Sequence, residues 1–168
     1  MMRRAILALF LALLALCGQA GASCPHRYDR HFARYGRLFF PFYPWQWFKA
    51  QGCAESGLRP GAVSPVGAVG VMQLMPFTAQ EMGCGSLLDP EMNILCGIRY
   101  DHWLWRNFWR KRPYPEDLCL TFASYNAGPG RVRRVFSGSC RATLPRLPRE
   151  TQRYVRRIEA FFVEEMLP

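Results

Sequence analysis

Apolar residues recur with a helical rather than an alternating period along most of this chain, and glycine and proline cut the pattern into short blocks. From Pro44 the run Trp45, Trp47, Phe48, Ala50 and Ala54 predicts a helix that stops at Gly57 and Pro60, with Glu55 in its last turn. Pro60, Gly61, Pro65, Gly67 and Gly70 then predict a shaped loop over Arg59 to Gly70. Helical signals resume around Met72, restart at Pro76 and stop at Gly83. Asp89-Pro90-Glu91 supplies an N-cap, a proline at the first helical position and a first-turn anion, and Ile94, Ile98, Trp105 and Phe108 mark one face through to about Arg110. Pro115-Glu116-Asp117 repeats the start signal, and Leu118, Phe122 and Tyr125 continue until Gly128-Pro129-Gly130 breaks the helix. A short helix is predicted over Arg131 to Phe136. A last one begins near Pro148 and buries Tyr154, Ile158, Phe161 and Phe162. Residues 23–42 have no clear period, and no element is assigned there. With no clean alternation outside the loop and no internal repeat, the fold class is all-α or nearly so.

Composition narrows the class further. Of 168 residues half are hydrophobic, 14% aromatic and 20% charged, which excludes a disordered segment and suits one domain. Residues 1–22 read as a secretory signal: Arg3 and Arg4, an apolar run from Ala5 to Leu16, and the small residues Ala20 and Ala22 before cleavage. That run is too short to span a bilayer, and bulky Leu16 argues against a lipid anchor on Cys17. The product would be periplasmic or secreted, divided into a basic aromatic lead-in over 23–42 and a domain over 43–168. Without the two signal arginines it carries 20 basic and 12 acidic residues, a net charge of +8 that is almost wholly arginine. Such a surface suits nucleic acid, anionic lipid or an acidic wall polymer. Once Cys17 leaves, cysteines remain at 24, 53, 84, 96, 119 and 140, an even number with no Cys-x-x-Cys pair. Disulfides are therefore expected rather than zinc, and the short Cys84 to Cys96 loop is the preferred pair.

Hydrolytic chemistry needs an activated nucleophile or a carboxyl group kept protonated near neutral pH. His26, His31 and His102 stand in arginine- or tryptophan-rich stretches with no nucleophile motif beside them, and neither a phosphate-cradling loop nor a helical metal-binding His pair occurs. Glu55 is the candidate. A helix C-terminus and apolar neighbours both disfavour its ionised form, which would make it a general acid.

The residues around and after Glu55 form four blocks in register. They are Glu55-Ser56-Gly57 with Ser64-Pro65-x-Gly67-Ala68-x-Gly70-Val71-Met72-Gln73-Leu74-Met75-Pro76-x-Thr78-Ala79; Asn93-Ile94-x-x-Gly97-x-x-Tyr100; Ser124-Tyr125-Asn126-Ala127-Gly128-Pro129-Gly130-x-Val132; and Leu147-Pro148-x-Glu150-Thr151-x-x-Tyr154-Val155. Together, over about residues 44–160, they resemble the soluble lytic transglycosylase catalytic domain of the goose-type lysozyme superfamily. Val71 and Ser124 are mild departures, where leucine and alanine are usual, and the cysteine set is unusual.

The resemblance implies a lysozyme-like, disulfide-stabilised helical domain with a Gly/Pro-rich active-site loop and Glu55 as sole catalytic acid/base. Ser64, Gln73 and Met75 would lie in the substrate groove, Tyr125 would hydrogen-bond and position the acid, and Glu150 would be a groove carboxylate. Ser56, Asn126 and Tyr154 match motif residues counted with the substrate-binding set. The implied reaction cleaves the MurNAc-β-1,4-GlcNAc bond of peptidoglycan glycan strands and closes a 1,6-anhydro ring. The substrate's acetamido group would replace a second carboxylate, with no metal or organic cofactor. Secretion, conjugation or phage machinery are candidate partners, and no nucleic acid or stable membrane span is expected. The rival readings are a water-using muramidase and a non-catalytic basic module that binds wall or nucleic acid.

Overall fold

The computed structural model describes residues 24–167, so the export signal expected over residues 1–22 lies outside the described residues. The described residues form the helices α1 (Asp29–Phe39), α2 (Gln46–Ser56), α3 (Pro76–Glu81), α4 (Pro90–Leu104), α5 (Glu116–Ala127), α6 (Pro129–Val135), α7 (Cys140–Thr143) and α8 (Arg149–Met166). A π-helical turn over Trp105–Trp109 extends α4, and a 3₁₀ turn over Leu144–Arg146 precedes α8. Asp89 caps α4 by accepting from Met92 N at 2.9 Å, with Pro90 at the first position. Among the described residues there is no strand, and only isolated bridges pin the loop: Val63 with Val69, and Val69 with Leu74.

At the centre stands α2, nine of whose eleven residues are buried, the pattern of a helix enclosed on nearly every side. Its largest interface is with α8. There the buried Thr151, Tyr154, Val155 and Ile158 form a stripe at i, i+3, i+4 and i+7, and Phe162 stacks on Trp47 at 3.7 Å. Phe161 and Phe162, expected to be buried, are only partly so.

The stretch to which the sequence pattern assigns no element forms α1, which packs against α4 and places Phe32 and Tyr35 in the same core as the later helices. A Cβ on its Gly36 would come within 2.8 Å of Trp45 Cβ, so glycine permits the close approach to the start of α2.

A buried ammonium ties three helices together. Lys49 of α2 is fully buried and bonds Asp29 Oδ1 at the start of α1 at 2.8 Å and Glu165 Oε2 near the end of α8 at 2.9 Å. The three disulfides join consecutive cysteines: Cys24–Cys53, Cys84–Cys96 and Cys119–Cys140. The second is the pair its short loop suggests. Among the described residues no helix is long and apolar enough to cross a membrane.

One element differs from the pattern. No helix resumes at Met72: residues 71–74 form a turn, with Gln73 in the left-handed region at φ 47°. The reason lies in α4. Buried Asn93 accepts from Met72 N at 2.7 Å and donates to Val69 O at 2.9 Å and Leu87 O at 3.0 Å, taking the backbone groups a helix would use. The Met72 side chain fills the space over Gly97, where a Cβ would meet it at 2.7 Å.

Candidate active site

The chain leaves α2 through Gly57, whose φ of 64° suits glycine and whose N–H donates to Cys53 O at 3.0 Å. Leu58 follows at φ 58° and plugs the core. This reversal leaves Glu55 in the final turn, facing a cleft between the Gly/Pro-rich loop and α8. The cavity there has a volume of about 590 Å³.

Burial is the main influence on Glu55, and it pushes the carboxyl up to about 8, from an ordinary 4.5. Tyr154 and the Arg157 guanidinium pull the other way, and the Glu150 charge adds to the rise. Glu55 therefore carries its proton at neutral pH, as a general acid must.

The expected hydrogen-bond partner of the acid is corrected by the geometry. Tyr125 does not hold Glu55; its hydroxyl donates to Met72 O at 2.8 Å, and its ring packs on Tyr100 with centroids 5.2 Å apart. Tyr125 thus clamps the loop turn to α5. The group that reaches the acid is Tyr154, one turn into the buried stripe of α8. Its buried hydroxyl makes no hydrogen bond of ordinary length, yet it lies near enough to Glu55 to favour the carboxylate. Burial raises both tyrosines well above their ordinary range, so both stay protonated.

Glu55, Ser64, Gln73, Met75, Tyr125, Asn126, Glu150 and Tyr154 all line the one cleft. Gln73 holds its strained backbone by donating from Nε2 to Gly70 O at 2.9 Å and Ala62 O at 3.1 Å, which leaves Oε1 for a substrate. Ser64 Oγ accepts from Ala68 N at 2.9 Å, with its own proton still to donate. Asn126 Oδ1 accepts from Thr151 Oγ1 at 2.7 Å, which joins α5 to α8 and leaves the amide NH₂ for the cleft. Ser56 has another role: its buried Oγ donates to Val71 O at 2.8 Å and accepts from Arg59 N at 3.0 Å, so it fastens the loop and does not line this cavity.

Sequence reasoning passed over Gln51, Asp101, Arg153 and Arg157. Gln51, one helical turn before Glu55, is fully buried and donates to Asp101 Oδ1 at 3.3 Å. Desolvation, opposed by that hydrogen bond and reinforced by the Glu55 charge, holds Asp101 well above the usual carboxylate range. It is a buried acid beneath the site. Arg153 and Arg157 extend the α8 wall of the cleft. Their positions three and seven residues after Glu150 were a helical signal available in the sequence. Among the described residues no three His, Cys, Asp or Glu side chains gather as a metal site requires.

Comparison with known proteins agrees with this geometry. Residues 44–142 match the family model described as the Transglycosylase SLT domain. The soluble lytic murein transglycosylase of Escherichia coli (strain K12) is 33% identical over 163 residues, covering 84% of this chain and 24% of the relative. The membrane-bound lytic murein transglycosylase F of Marinobacter nauticus is 34% identical over 112 residues, covering 64% of this chain and 22% of the relative. Among solved structures, an inactive mutant of the lytic transglycosylase Slt from Pseudomonas aeruginosa superposes with a TM-score of 0.71 at 28% identity, covering 84% of this chain and 24% of that one. The 70 kDa soluble lytic transglycosylase of Escherichia coli gives 0.70 at 32% identity, with 85% and 25% covered. The chain spans about a quarter of the length of the curated relatives it matches.

Proposed function

The chain belongs to the Transglycosylase SLT domain family, and from that premise we propose that it cleaves the β-1,4 bond between N-acetylmuramic acid and N-acetylglucosamine in peptidoglycan, leaving a 1,6-anhydro end. The observation that carries this reading is one desolvated carboxyl, protonated to about pH 8, on the wall of a cleft of about 590 Å³. Glu55 donates its proton to the bridging oxygen as the glycosidic bond breaks. The muramoyl acetamido oxygen supports the cation that develops, the role that the family resemblance implies, and fully buried Asp101 does not reach the cleft. Arg157 and Tyr154 favour the Glu55 carboxylate formed in this step. That carboxylate then takes the proton of the muramoyl C6 hydroxyl, whose oxygen closes onto C1, and Glu55 is again protonated.

Gln73 Oε1, the Ser64 hydroxyl and the Asn126 amide hold the strand in register with the acid. The arginine-rich surface draws an anionic polymer toward the cleft. Three disulfides fit an oxidising compartment, which agrees with export through residues 1–22 to the periplasm or beyond.

Digestion of purified sacculi with mass analysis of the products tests the proposal. Muropeptides ending in the anhydro sugar, one water lighter than reducing-end products, are expected. Glu55→Gln is expected to lower their yield at least about 100-fold, the scale of general-acid loss. Products bearing a reducing end would assign hydrolysis instead, and near-normal turnover by Glu55→Gln would overturn the role of the acid.

A further inference from the structure

A bond cut at Glu55 has sugar on both sides, so the strand that carries it continues past the acid. A second cavity of about 430 Å³ adjoins the first, and Ala54, Glu55 and Arg157 line both. The walls advance in step. On α8, Glu150 and Tyr154 belong to the first cavity, Arg157 to both and Phe161 to the second. At i, i+4, i+7 and i+11 these four form one stripe about 16 Å long. The opposite wall passes from Ser64 and Gln73 in the first cavity to Arg59 in the second, and the Cys24–Cys53 disulfide closes the far side.

The two arms differ in charge. The first holds Glu150 as well as Glu55, whereas the only carboxyl in the second is Glu55 itself. Facing it are two guanidinium groups, and neither Arg59 nor Arg157 forms an ion pair among the described residues. Arg59 is held in place, since its Nε donates to Ser56 O at 2.8 Å, which leaves its terminal NH groups for a ligand. Two unpaired guanidiniums beside an aromatic ring in a concave site match a carboxylate carried on a sugar chain.

Resting on the reading given above, we propose that this second arm binds the glycan strand on the far side of the cut bond from Gln73, with Arg59 and Arg157 taking a carboxylate of a flanking muramoyl unit. Phe161 packs against the sugar face there. The carboxylate has two sources, the muramoyl lactyl group and the stem peptide, and the probes below separate them.

The test uses the full chain carrying Glu55→Gln, so that binding is read without turnover and without any change in the titration of the acid. Three probes are titrated by calorimetry: peptide-bearing strands, peptide-free strands that retain the lactyl carboxylate, and uncharged chitohexaose. Adding Arg59→Gln, or Arg157→Gln as a variant that leaves the loop fastening untouched, is expected to weaken carboxylate-bearing strands about tenfold, the scale of one charge-assisted contact. Chitohexaose binding should stay within about twofold. Loss confined to peptide-bearing strands identifies the stem carboxylate, loss confined to peptide-free strands identifies the lactyl group, whose carboxyl is an amide wherever a stem is attached, and loss on both shows that the arm takes either carboxylate. Equal loss on chitohexaose, or no loss on any probe, overturns the proposal.

In a second readout, wild-type protein digests the same strands. Carboxylate-selective binding without any released sugar would sink the transglycosylase reading while leaving the binding site in place.

Discussion

At the scale of single residues, the burial of Glu55 bears on stability as well as on the proposed chemistry. In the unfolded chain its carboxyl titrates near the ordinary 4.5, and in the folded protein near 8. Between those values the folded state keeps a proton that the unfolded state has released, so stability falls as pH rises, by about 1.4 kcal/mol per pH unit. Glu55→Gln is therefore expected to match the wild type near pH 4 and to exceed it by a few kcal/mol near pH 8, measured by urea unfolding at both pH values. Equal stability throughout would mean that the acid is not desolvated. The two tyrosines separate in a pH profile. Tyr154 favours the Glu55 carboxylate, so Tyr154→Phe should raise the pKa of the acid and carry the basic limb of kcat/KM above pH 8. Tyr125 is bonded to Met72 O, so Tyr125→Phe should lower activity through a loosened loop and leave that limb in place. A shift with Tyr125→Phe and none with Tyr154→Phe would reverse the two roles.

At the scale of elements, the site depends on how α2 is held. Its buried Lys49 pairs with Asp29 and Glu165, linking α1, α2 and the C-terminal end of α8. Removing one partner of a buried ion network leaves the others uncompensated, so Lys49→Ala is expected to cost about 3–5 kcal/mol in denaturant midpoint measurements. A loss below about 1 kcal/mol would mean that the cluster is hydrated and contributes little. The loop of residues 59–75 owes its shape to Asn93, Ser56 and Tyr125 reaching in from three helices, since it has no sheet of its own. The backbone of Gln73, with φ at 47°, is the local sign of that constraint.

For the molecule as a whole, the disulfides span 29, 12 and 21 residues and tie the N-terminal segment, the α3–α4 connection and the α5–α7 region to the core. Loops of these sizes each restrict the unfolded chain by about 3 kcal/mol. Reduction with a strong thiol is expected to lower Tm by more than about 10 °C, read by circular dichroism. An unchanged Tm would mean that packing alone sustains the fold.

Most helices were legible in the sequence, because their caps, breakers and apolar period lie within a turn or two of one another: Asp89-Pro90, Pro115-Glu116 and Gly128-Pro129-Gly130 all fall at helix ends. The catalytic candidate was legible too, since its helix terminus and its spacing to Gln73 are properties of a continuous stretch. Helix α1 was obscured. Phe32, Tyr35, Gly36 and Phe39 do recur at i, i+3, i+4 and i+7, but other aromatics and Arg30, Arg34 and Arg37 interrupt the stripe. Only the tertiary structure decided that the Tyr125 hydroxyl bonds Met72 O, that Met72 turns instead of coiling, that Ser56 fastens the loop, and which cysteines join. Each of these depends on groups far apart in the chain meeting in a space from which water has been removed. Local sequence specifies the elements, whereas the depth of burial around Glu55 exists only once α2 is enclosed by its neighbours.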